Sequence, residues 1–109
     1  MANTFKNAWS ENVPASQTDI YTVSSGTTVL IGLTLTNTSA NDITATVELY
    51  DHSASTNSIT FLHQVSIPKN TALEVMRGNK IVLETNDKLQ VTASATSSLN
   101  VFASVLEIT

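Results

Sequence analysis

Apolar side chains recur at every second position along most of this chain, and that period leaves few folds open. Val29, Ile31, Leu33 and Leu35 fall on one face of a first run. Ile43, Ala45, Val47 and Leu49 do so in the next, and Leu89, Val91, Ala93 and Ala95 in a later one. Successive side chains of a strand leave the backbone on opposite faces, so a period of two is the strand period. A sheet with one apolar face must bury it against a second layer.

The alternation predicts strands over residues 17–23, 27–37, 42–51, 58–67, 71–76, 80–85, 88–95 and 99–108. Between them lie residues suited to turns: Ser24-Ser25-Gly26, Asn37 to Asn41, Pro68-Lys69-Asn70, Arg77-Gly78-Asn79 and Asn86-Asp87. Short strands at this spacing are the mark of an all-β sandwich or barrel. With 109 residues the chain holds one domain, able to bury roughly 65% of its unfolded surface in a two-layer core. The expected architecture is an all-β, about eight-stranded antiparallel β-sandwich of jelly-roll-like type. It occupies residues 17–109, after a short N-terminal arm, residues 1–16, with little β structure.

In that arm Phe5, Ala8 and Trp9 stand at helical spacing before Val13-Pro14, where a helix would end. An arm lying across a neighbour, or across its own sandwich, fits the same residues. Trp9 then covers either an edge of the core or an interface, where large aromatics are enriched. The last strand poses a related question. Leu99, Val101, Ala103 and Val105 take one face, while Phe102, Leu106 and Ile108 take the other. A strand apolar on both faces needs further cover, from the arm or from a partner. Phe5, Trp9, Phe102, Leu106 and Ile108 are therefore the candidate interface residues.

Charge narrows the partners. Five basic against nine acidic residues give a net charge of −4, and Lys6, Lys69, Arg77, Lys80 and Lys88 form no basic stripe. Nucleic acid and anionic membrane are both disfavoured. The absence of cysteine removes disulfides, thiolate nucleophiles and thiolate metal sites. The opening residues lack an apolar segment of signal-peptide length, which predicts a protein made in the cytoplasm and not exported through a cleaved leader.

No residue pattern points to catalysis, a cofactor or a metal. His63 lies in phase with Ile59, Phe61, Val65 and Ile67 on the expected buried face, which predicts a hydrogen-bonded core histidine, or one near a strand end or interface, and not a ligand. Asp51 and His52 are adjacent on a strand, where they would point to opposite faces, and no Gly-x-Ser-x-Gly elbow accompanies them. Two histidines are too few for a zinc site, and Asp19, Asp42, Asp51 and Asp87 lack calcium-loop spacing. Glu48, Glu74, Glu84 and Glu107 read as solvated strand positions. Residues 52–58 read as a hairpin loop. A competing class is a lectin-like binding module, with Tyr21, Tyr50 or Trp9 stacking on sugar rings.

Several segments together resemble the small all-β virion structural proteins of tailed bacteriophages, of the accessory or decoration type from marine and cyanobacterial hosts. They are Asn3 to Asn7, Ile20 to Thr28, Val29 to Asn37, Lys80 to Thr92 and the closing Ser104 to Ile108. The resemblance implies a non-enzymatic virion component made in the host cytoplasm, a capsid decoration or cement protein that stabilises the particle. A neck, tail or baseplate component is the alternative. The implied partners are other phage structural proteins, the major capsid protein or neck and tail proteins, and further copies of the chain in a homo-oligomer.

Overall fold

A computed structural model describes residues 3–52, 57–76, 80–96 and 98–108. Among the described residues nine strands are formed: β1 Asn3–Ser10, β2 Thr18–Thr22, β3 Thr27–Asn37, β4 Ile43–Asp51, β5 Asn57–Ile67, β6 Ala72–Glu74, β7 Ile81–Leu83, β8 Lys88–Ala93 and β9 Leu99–Ile108. Among the described residues there is no helix.

The pairing is that of one long hairpin rolled on itself. β4 pairs β5, β3 pairs β6 and β7, β2 pairs β8, and β1 pairs β9, all antiparallel and each pair nested inside the next. Rolling the ribbon then places β9 against β3 and β8 against β4. Two sheets result: sheet A in the order β1-β9-β3-β6, with β7 also on β3, and sheet B in the order β2-β8-β4-β5. This is jelly-roll connectivity, and it closes over a sandwich core. β6 and β7 pair with opposite ends of β3, so together they fill one strand position.

The core lies between the sheets. Leu30, Leu33 and Leu35 of β3 and Val101, Ala103 and Val105 of β9 meet Ala45 and Val47 of β4 and Leu89 and Val91 of β8. Turns follow the expected chemistry: Gly26, Asn70 and Asn86 take φ of 69°, 55° and 74°, a left-handed region cheap only for such residues. Asn37 ties one end, its amide donating to the Asn41 and Ile67 carbonyls at 2.8 and 2.9 Å. Among the described residues no buried side-chain polar atom lacks a hydrogen bond.

Three expectations need correction. The arm is not poor in β structure, because Asn3–Ser10 is an edge strand in register with β9. The helical spacing of Phe5, Ala8 and Trp9 loses to a ready row of backbone partners. Only beyond it does the chain leave the sheet, anchoring Val13 in the core with its N–H on the Leu99 carbonyl at 2.8 Å.

In β3 the face is not Val29, Ile31, Leu33 and Leu35. A register shift between Leu30 and Gly32 inserts an extra residue, and an inserted residue reverses which parity faces inward. Leu30 is buried and Val29 turns outward.

Shifts in the β4–β5 ladder between Ala45 and Glu48 do the same to β5. His63 is exposed, as are Ile59 and Phe61, and Leu62 packs on the core instead. Gln64 absorbs the irregularity at φ 48°. Of the expected 52–58 loop, residues 53–56 lie outside the described residues.

Candidate docking surface

Register fixes which side chains share the outer face of sheet A. Phe5 pairs Leu106, Leu106 pairs Val29, and Val29 pairs Val82, a row of four apolar residues across β1, β9, β3 and β7. Two positions along, Asn7, Ser104 and Gly32 form a row of small or polar residues. Beyond it Trp9 pairs Phe102, which pairs Thr34. On the other side Asn3, Ile108 and Thr27 are aligned. The five interface residues expected from sequence therefore all stand on this one face.

They are largely uncovered. Phe5 is 74% exposed, Trp9 62%, Val82 61% and Phe102 46%, and Leu106 and Ile108 are half-buried. The N-terminal strand extends the sheet sideways and does not roof β9, so it adds to the apolar face. Trp9 does not sit on the core. Val82 and Val29 were missed from sequence: Val82 reads as one residue of a short strand, and Val29 was assigned to the opposite face before the bulge. The ridges border two clefts, one of about 420 Å³ beside Trp9, Thr36, Asn100 and Phe102, the other of about 330 Å³ beside Phe5, Asn7, Ile31 and Ser104.

One end of the sandwich is latched by polar groups. The Tyr21 hydroxyl of β2 donates to the Glu107 carboxylate of β9, joining sheet B to sheet A, and lies 3.2 Å from the Thr28 hydroxyl. Lys6 of β1 approaches the other Glu107 oxygen at 3.4 Å. Burial, then the bond to Glu107, raises the Tyr21 phenol above its ordinary value. That same hydrogen bond, with help from Lys6, lowers Glu107.

A second polar cluster was not visible from sequence. The carboxylates of Asp51, Glu84 and Asp87 lie within 4.8 Å of one another. Asp87 is buried, and its two oxygens accept the His52 and Glu84 backbone N–H at 3.0 and 2.9 Å. Asp51 and Glu84 also have partners. Asp51 meets Asp87 because β4 and β8 pair through Tyr50 and Lys88, a register that no local spacing reveals.

The aromatics weighed for sugar stacking do not converge. Tyr21 pairs Leu89 and takes part in the latch, while Tyr50 pairs Lys88 and lies under its ammonium at 5.3 Å. Adjacent positions of β8 point to opposite faces of sheet B, and Trp9 is on sheet A.

No family model matches the chain, and no curated protein matches it. Among solved structures, a chain from Bacillus endospore appendages, described as a novel family of disulfide-linked pili, is similar over 98% of this chain and 88% of its own. The identity is 11% and the TM-score 0.59. A pentameric capsid protein from metagenomic phage sequences is similar over 97% of this chain at 14% identity and TM-score 0.46, and this chain spans 62% of it. The cyanophage Pam1 capsid is similar over 97% of this chain and 86% of its own, at 14% identity and TM-score 0.39. The likeness to the appendage chain is one of fold: an all-β sandwich shared at low identity. Disulfide linkage does not carry over, since this sequence has no cysteine.

Proposed function

We propose that the chain is a non-enzymatic structural protein of a tailed-phage virion, a capsid decoration or cement protein that docks through the outer face of sheet A. The observation that carries this reading is the apolar face itself: Phe5, Trp9, Val82 and Phe102 exposed on one face of sheet A in a small acidic domain. Monomeric proteins rarely leave this many large apolar side chains on one face in water. Its occupants are other virion proteins or further copies of the chain, and the sequence resemblance to phage accessory proteins supports a phage particle.

Covering those four side chains removes roughly 400 Å² of apolar surface, given about 150–250 Å² per aromatic. That is worth on the order of 10 kcal/mol, against association costs of roughly 4–15 kcal/mol. One contact is therefore weak, and repetition over a lattice makes it firm. A net charge of −4 keeps such a protein from competing for packaged nucleic acid.

The test is electron microscopy of the intact particle with quantitative mass spectrometry. Hundreds of copies on the shell support decoration. About a dozen copies in a ring move the role to neck or tail, and absence from the particle overturns the virion role.

A further inference from the structure

Gly32 sits in the middle of an eleven-residue strand, at the end of the β3 bulge, yet neither its backbone nor its neighbours inside the chain exclude a side chain. It is not among the residues with positive φ, and a Cβ there would meet only Ser104, at 3.6 Å, an ordinary contact. Glycine within a strand costs about 0.5–1 kcal/mol relative to alanine, and such a glycine often marks the close approach of another surface. Its row, Asn7-Ser104-Gly32, borders the cleft beside the Phe5-Leu106-Val29 ridge, a cleft that Ile31 also lines.

We infer that the occupant of this face is a second copy of the chain, seated about a two-fold axis that lies in the interface and runs across the strands. This rests on reading the outer face of sheet A as a docking surface. An axis between the ridge and that row lays each ridge into the other copy's cleft. Val29 then faces Gly32 of the second copy, Leu106 faces Ser104, and Phe102 faces Ile108. The same surface supplies both halves of the fit, as an isologous interface demands.

Area and charge agree with that occupant. Four strand positions about 4.8 Å apart, three of eight, ten and eleven residues and the fourth of two three-residue strands, present roughly 500–600 Å² of flat face. Side-chain relief brings the buried area near the roughly 800 Å² per partner of a standard interface. The outward residues of β1, β9 and β3 carry no ionisable group, and Glu74, outward on β6 and exposed, holds the Thr34 hydroxyl at the rim, so two acidic copies can meet over the first three strands without burying a charge.

The test is sedimentation of the isolated full chain from low micromolar to near-millimolar concentration. Wild type should dimerise reversibly. Gly32→Val, at a position where an added Cβ meets only an ordinary contact, should weaken association by roughly tenfold or more, with an unchanged far-ultraviolet spectrum and, at concentrations where both are monomeric, a thermal midpoint no lower than wild type. Val29→Ala added to Gly32→Val reopens the space and should restore the dimer. A wild type that stays monomeric, or a dimer indifferent to Gly32→Val, overturns the inference, and a double variant that remains monomeric overturns this register. Particle content is scored separately. A monomer found in virions defeats the two-fold but keeps the virion role, whereas a Gly32-dependent dimer absent from virions does the reverse.

Discussion

The Tyr21 hydroxyl donates its proton to the Glu107 carboxylate, and this one bond ties the β2 edge of sheet B to the last strand of sheet A. Glu107 in turn holds Lys6, so the latch also secures the N-terminal edge strand. β1 is otherwise poorly buried, and its hold on β9 is mainly backbone pairing.

Removing the hydroxyl should therefore loosen one end of the sandwich without hollowing the core. Tyr21→Phe is expected to cost about 1–2 kcal/mol, the range for a bond to a charged group at a partly exposed site. Urea denaturation measures it. Amide exchange should rise in β1 before it rises in β3.

The latch also sets a pH dependence. Glu107 is lowered by the Tyr21 hydrogen bond and then by Lys6, so the unfolded chain takes up its proton first. Its contribution is whole above the ordinary carboxylate value and lost as pH falls through the lowered one. Tyr21 is raised by burial and then by Glu107, so its contribution is whole below the ordinary phenol value and lost as pH climbs through the raised one. Thermal midpoints of wild type should fall at both extremes more steeply than those of Tyr21→Phe.

Asp87 reinforces a turn that its own N–H already closes on the Glu84 carbonyl at 2.9 Å. Its buried carboxylate satisfies the N–H groups of His52 and Glu84, and Asp87→Ala would orphan both. A loss of about 3 kcal/mol is expected, read from chemical denaturation, with Asp87→Asn losing about half as much because one acceptor oxygen survives.

Gln64 bears the strain of the β5 irregularity at φ 48°, a region costing about 1 kcal/mol for most side chains. Gln64→Gly should be neutral or stabilising by up to about 1 kcal/mol. Gln64→Val should destabilise by a comparable amount, because a branched Cβ makes that backbone dearer. Thermal denaturation of the pair checks the sign.

The strand sites and most turns were legible because side-chain period and turn chemistry are local. Thr27–Asn37 and Leu99–Ile108 begin and end where alternation predicts. What failed was parity. One residue inserted near Ile31 sent Val29 outward, and the β4–β5 shifts exposed His63. Gly32 is the one mark of the first bulge, and the regular alternation around it reads through that mark. The docking face was half legible: Phe102, Leu106 and Ile108 declared themselves by being apolar on the wrong side of a strand. That Phe5 and Trp9 join them depends on β1 pairing with β9 across nearly the whole chain, which no local spacing encodes.

The most direct measurement is hydroxyl-radical footprinting of Phe5, Trp9 and Phe102 in dilute isolated protein and in purified particles, read by mass spectrometry. Phe61, exposed on sheet B, serves as the internal reference. The account predicts that all three outer-face aromatics label readily in the dilute chain and are protected in the particle, while Phe61 labels in both. Equal labelling of Phe5, Trp9 and Phe102 in the two states would contradict a docking role for the outer face of sheet A.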